Sequence, residues 1–282
     1  MPKWLPSNRM LRVLLIWLLV CTAWEASYRL IGWKTLVFPA PSHVLDATLE
    51  MLGVHTEFGD ALRPGWPWTK SPPTRPIKAV LPSAILVSGV RLAIGFAISL
   101  VFGAAIGLLM WRYRAVDDAL GPVFLGLQTL PSVCWIPLAI LSLGFSESSI
   151  IFVLVMGSFF SIAIALRDGL RQIPPIYARA ATMLGARRWK LYRYVLLPAG
   201  LPAAAGSLRQ GFSFAWRSLM GAELLLMLSH RGLGYWLSAA REFADIAQVV
   251  AVMLVMVLIG TLADRMVFTT IERRVRRRFG LT

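Results

Sequence analysis

Four stretches of the sequence run for 18 to 28 residues without an Asp, Glu, Lys or Arg: 92–111, 119–146, 148–166 and 246–263. A helix needs roughly 20 apolar residues to cross a hydrocarbon layer about 30 Å thick. Each run is therefore long enough to span a membrane. A chain with several of them cannot hide them all in one soluble core. The 28-residue run has Gly121 and Pro122 near its start and Gly144 near its end, so it reads as one span, roughly 123–143. Pro131 and Pro137 within it remove backbone hydrogen bonds and predict a bend. Broken helices at membrane depth often line a cavity.

Two further spans are less plain. Lys3, Arg9 and Arg12 precede an uncharged run of 12 residues, 13–24, a pattern that a signal peptide shares. Extended to Ile31, with Trp17, Trp24, Tyr28 and Trp33 as interfacial anchors, it reads as an uncleaved span. The segment 202–226 holds Arg209, Arg217 and Glu223, each costing about 2.5–3.5 kcal/mol at mid-bilayer. Its other residues are small and apolar, so it reads as a span whose charges face protein or water. The fold class expected is all-α integral membrane with six transmembrane helices.

Six spans put both termini on one side. With that side cytoplasmic, the inner pieces 1–12, 112–118, 167–201 and 264–282 hold 18 of the 29 Lys and Arg against five acids. The outer pieces hold eight of each sign. The positive-inside rule is met. The net charge of +15 thus reflects topology and contact with membrane lipids rather than nucleic acid. The run Arg273–Arg278 reads as a juxtamembrane lipid anchor. The outer side carries a short amphipathic helix over 39–52, with Leu45, Leu49 and Leu52 on one face and His43, Asp46 and Glu50 on the other. Beyond it lies a stiff loop, 64–76, with five prolines, Trp66 and Trp68.

No catalytic or metal-binding arrangement emerges. Cys21 and Cys134 lie in apolar runs, and His43, His55 and His230 are scattered, each reading as a polar loop residue. There is no glycine-rich nucleotide loop, so any ATPase that drives this chain is another chain. Gly95, Ser99, Gly103 and Gly107 repeat every four residues, a stripe that lets another helix backbone approach.

The cytoplasmic stretch 173–198 is the most informative. Pro174 and Pro175 open a helix, Gly185 closes it, and a second short helix runs to Pro198. Tyr177, Met183, Leu184 and Trp189 would stand in the cytosol on this pair, as a knob made for a partner's groove. The stretch resembles the loop of ABC importer permeases, whose pattern is Glu-Ala-Ala, three residues, Gly, nine residues, then Ile-x-Leu-Pro. Ala180, Ala181, Gly185, Leu197 and Pro198 match, Val195 stands for the Ile, and Arg179 departs from the Glu. Pro131–Leu138, Ala222-Glu223 and Arg231–Tyr235 are similar to signatures of the nitrate, sulfonate and taurine branch.

The resemblance implies a type-1 permease core over 84–268 with a cytoplasmic coupling helix in the loop 167–201. A first span with its outer segments precedes it over 1–83, and a basic tail follows over 269–282. It implies cytosolic ABC ATPases, an extracytoplasmic solute-binding protein and a second permease copy as partners, in a bacterial inner membrane. ATP and Mg²⁺ would sit on the ATPase, and this chain would bind no cofactor and catalyse nothing itself. Ala180, Ala181, Gly185 and Trp189 would transmit force, with Leu197 and Pro198 closing the loop. Arg209, Arg217 and Glu223 carry two readings: an arginine lines the path of an anion such as nitrate, a sulfonate or taurine, or an Arg–Glu pair holds spans together. The rival function is a stand-alone secondary transporter or channel.

Overall fold

The computed structural model describes residues 8–32, 39–54, 79–186, 189–228 and 231–278. The proline-rich stretch 64–76, Trp33, His55 and His230 lie outside them. Among the described residues every regular element is helical. In chain order these are α1 (Asn8–Ile31), α2 (Pro41–Met51), α3 (Val80–Arg112), α4 (Arg114–Thr129), α5 (Ile136–Leu143), α6 (Glu147–Arg171), α7 (Pro175–Met183), α8 (Leu197–Leu226), α9 (Leu233–Glu242), α10 (Ile246–Ala263) and α11 (Thr269–Arg278). A 3₁₀ turn, Ser132–Trp135, leads into α5; a single helical turn, Trp189–Leu191, and a π-helical turn, Tyr192–Leu196, run directly into α8, and a π-helical turn at Asp264–Phe268 leads into α11.

By length and composition α3, α6 and the continuous helix Ile246–Val275 can cross a membrane. A fourth span is available if α4 and the Ser132–Leu143 segment, bent by 102°, count as one. The bend is chemical in origin. Leu130 precedes Pro131, and the proline ring disfavours helical ψ at the residue before it. Leu130 and Pro131 accordingly take extended ψ values of 127° and 133°. The π-turn at Tyr192–Leu196 sits just before Pro198, which cannot donate to the carbonyl four residues back and would collide with it. Widening the helix there accommodates the ring.

The residues group into two units, 1–84 with 236–255, and 85–235 with 256–282. In the first, α2 buries Val44 and Ala47 against Ala247 and Ala251, with Trp24 beside them. The face it turns inward is the one that carries His43 and Asp46. Leu45 is 61% exposed, whereas His43 and Asp46 are buried. His43 packs edge-on to Tyr28 at 5.4 Å between centroids, so it is no loop residue. In a membrane chain leucines can face lipid while polar groups turn toward protein, which inverts the rule used for soluble helices. Glu25 fixes the start of α2, accepting from the Ser42 hydroxyl at 3.2 Å and from its N–H at 3.4 Å.

In the second unit α6 is the central helix, most of it buried, and α8 packs along its length. The core here joins Ile150, Val153 and Leu154 of α6 to Ala215, Leu219 and Ala222 of α8 and to Ile136 and Ala139 of α5. α3 lies on another side of α6, and its four-residue stripe marks the contact. A Cβ on Gly95 would come within 2.7 Å of Leu154, one on Gly103 within 2.9 Å of the Phe159 carbonyl, and one on Gly107 within 2.7 Å of the Ala163 carbonyl. Ser99 donates to the Gly95 carbonyl at 2.8 Å and accepts from Ser158 at 2.7 Å. The stripe's partner is thus α6 of the same chain.

Candidate functional sites

The loop 173–198 begins with α7, which Pro175 opens and Gly185 closes. Gly185 has φ +83°, donates to the Thr182 carbonyl at 3.0 Å, and is followed by Ala186 N–H donating to the Ala181 carbonyl at 2.9 Å. That pair of bonds is the Schellman C-cap, which needs a left-handed residue at the glycine position. No neighbour crowds Gly185 from outside the turn. Ala181 is buried, Ala180 is exposed, and Met183, Leu184 and Trp189 stand largely in solvent. Leu197 is half-exposed and Pro198 half-buried. The loop thus presents an apolar surface that this chain leaves uncovered.

Arg209, Arg217 and Glu223, the three charges of α8, separate into three environments. Glu223 lies at the centre of a buried network with Arg91 of α3, a residue the spacing of charges had not singled out. Its carboxylate accepts from Arg91 Nη1 at 2.8 Å, from the Ser88 hydroxyl at 2.8 Å and from the Gly234 N–H at 3.0 Å. Ser88 in turn accepts from the Leu233 N–H at 2.9 Å. Arg91 completes a bidentate pair with Glu147 at the start of α6, with distances of 2.7 and 2.6 Å. The two glycines at 232 and 234 are required by space: a Cβ on Gly232 would overlap the Glu223 carboxylate, and one on Gly234 would lie 2.5 Å from the Glu223 Cβ. One carboxylate therefore ties α3, α8 and the start of α9 together, and Arg91 extends the tie to α6.

Arg209 sits elsewhere, half-exposed, forked onto Asp264 with two contacts of 2.7 Å and reaching Glu272 at 3.4 Å. At the other end of α6, Arg167 and Arg171 meet Asp117 of α4 at 3.0 and 2.6 Å.

Arg217 differs from all of these. Its Nε donates to the Ser213 carbonyl one turn back at 3.1 Å, and its guanidinium lies over the Phe214 ring at 4.6 Å from the centroid. No carboxylate pairs with it among the described residues. It lines a cavity of about 290 Å³ between the break after α4, α6 and α8, together with Gln128, Ser132, Gly157 and Ser218. Gly157 makes that wall possible, because a Cβ there would collide with Ser218 and lie 3.1 Å from Ser132. Proline at 131, which breaks the helix, and glycine at 157, which admits two serines, together open a polar recess. Sequence reading found Arg217 and the proline break. It missed Gln128, Ser132 and Ser218, since polar residues of this kind occur in every span.

Among the described residues no group of three or more His, Cys, Asp or Glu could hold a metal, and Cys21 and Cys134 are both free.

Residues 78–277 match the family model for the binding-protein-dependent transport system inner membrane component. The nitrate import permease protein NrtB of Synechocystis is 30% identical over 183 residues, covering 65% of this chain and 66% of that one. The bicarbonate transport system permease protein CmpB of Synechococcus elongatus is 28% identical over 182 residues, covering 64% and 65%. The chain thus spans just under two thirds of the length of each of these two relatives.

Proposed function

The chain belongs to the inner membrane components of binding-protein-dependent transport systems, and on that premise we propose that it is the permease subunit of an ATP-driven importer for a small anion. It works with cytosolic ABC ATPases that hold ATP and Mg²⁺, with an external solute-binding protein, and with a second permease copy. Six helices cross the membrane: α1, α3, the bent α4–α5 pair, α6, α8 and α10, with both termini cytoplasmic. α7 is the coupling helix, and Ala180, Ala181, Gly185 and Trp189 meet the ATPase. The exposed apolar surface at Met183, Leu184 and Trp189 supports that docking, as does the basic excess around it. Closure of the ATPase pair moves α7, and the spans switch between two packings as rigid bodies.

The anion reading is carried by one observation. Arg91, Arg167, Arg171 and Arg209 each have a carboxylate partner, whereas Arg217 has none among the described residues and borders the cavity. An uncompensated guanidinium at membrane depth is costly unless an anion or water answers it. Relatives that import nitrate and bicarbonate add weight. The test is Arg217→Gln in the assembled transporter, with uptake and ATPase activity measured together. Lost uptake with normal assembly is the expected result. Unchanged uptake of every anion the wild type carries refutes the assignment. An Arg217→Lys variant keeps the charge but loses the planar fork, and should retain partial uptake.

A further inference from the structure

Gln128, in the last turn of α4, lines the cavity with Arg217 and carries a buried Oε1 with no hydrogen-bond partner among the described residues. Elsewhere in this unit most buried polar groups find one another, as Ser99 finds Ser158 and Ser88 finds Glu223; among the described residues the Ser161 hydroxyl is the other exception, and it lies outside this cavity's lining. A buried amide oxygen without a partner is destabilising unless something else enters to meet it. The lining carries one formal charge, that of Arg217, and otherwise neutral hydroxyls, this amide and apolar side chains.

We propose that Gln128 is a specificity-determining residue, its amide completing with Arg217 a two-point site for a small monovalent oxyanion. This rests on the anion reading of Arg217. The guanidinium answers the charge. The amide answers the remaining edge, as acceptor to a protonated oxygen or, after a half-turn about its last torsion, as donor to a bare one. A dianion would bring a second charge with no counter-charge on the walls, which membrane depth penalises. A cation would meet Arg217 unfavourably. The space suffices: about 290 Å³ exceeds the roughly 30 Å³ share of one water severalfold, so an oxyanion enters with part of its hydration.

The experiment uses the complete transporter with its ATPase and binding protein. In a Cys21→Ser, Cys134→Ala background, Gln128→Cys is treated with an anionic and a cationic methanethiosulfonate of similar size. The anionic reagent should react faster, by about tenfold relative to the cationic one, and Arg217→Gln should erase that ratio. An inert thiol, or a ratio that Arg217→Gln leaves unchanged, overturns the shared site whichever solute is carried. In parallel, uptake of nitrate, hydrogencarbonate, taurine and sulfate is compared for wild type, Gln128→Leu and Arg217→Gln. Gln128→Leu should raise the KM for the transported monovalent anion about tenfold and reorder the preference, with assembly intact. If Arg217→Gln abolishes uptake while Gln128→Leu leaves KM and preference unchanged, the amide has no role and the anion reading stands. If Arg217→Gln leaves uptake intact, the anion reading itself fails. Preferential uptake of sulfate also overturns the monovalent site.

Discussion

Glu223 gives the sharpest test of how the helices are held. Replacing it with Ala removes the acceptor for Arg91, Ser88 and the Gly234 N–H at once. Removing one partner of a buried ion pair costs about 3–5 kcal/mol. Arg91 would keep Glu147, which tempers its loss, but Glu147 is 41% exposed and so a weakened partner. The Gly234 N–H and the Ser88 hydroxyl would each forfeit a bond, at about 1–3 kcal/mol apiece if water cannot reach them. With Arg91 keeping Glu147 and each loss at its lower end, the total should come to about 5 kcal/mol. At about 2–4 °C per kcal/mol for a chain of this size, the unfolding midpoint should drop by about 10 °C or more. Glu223→Gln preserves the shape and one acceptor and should lose less than half as much. The double variant Arg91→Leu, Glu223→Leu removes both charges and should be milder than the two single losses added together. Thermal unfolding in detergent, followed by tryptophan fluorescence, reads all of these variants. A shift under 2 °C for Glu223→Ala, or a double variant worse than the sum, would refute the network as a structural tie.

Three other perturbations follow from the geometry. Gly107→Leu should displace α3 from α6, because its side chain would start 2.7 Å from the Ala163 carbonyl; loss of folded protein in detergent extracts checks it, whereas Gly126→Leu, with open space around it, should be tolerated. Gly185→Ala should cost about 1–2 kcal/mol locally, since an alanine at φ +83° is strained, and should lower solute-stimulated ATPase activity without affecting insertion. Gly232→Ala should mimic Glu223→Ala in thermal unfolding, because the new methyl would sit where the carboxylate lies.

Much of this was legible in the sequence because it is local or periodic. Uncharged runs give helices. Pro131 gives the break, Gly185 the cap, and the four-residue glycine and serine stripe the close approach of a helix. What is not periodic was not legible. Glu223 could have paired with any arginine, and its partner, Arg91, lies 132 residues away on another helix. The Arg-Gly-Leu-Gly stretch at 231–234 is recognisable as a signature, yet its role, to bring the Gly234 N–H onto the Glu223 carboxylate and the Leu233 N–H onto Ser88, is visible only in three dimensions. Leucine spacing showed that α2 has two faces without showing which solvent each one meets; the structure buries His43 and Asp46 and exposes Leu45. The same limit explains the cavity. In a sequence every intramembrane arginine is equally anomalous. Once Arg91 and Arg209 are matched to their carboxylates, the anomaly narrows to Arg217, which has no carboxylate partner among the described residues and lines the same cavity as Gln128. Structural pairs satisfy each other within the chain; a transport site must keep its contacts open for the solute, so the unmatched polar groups are the ones to test.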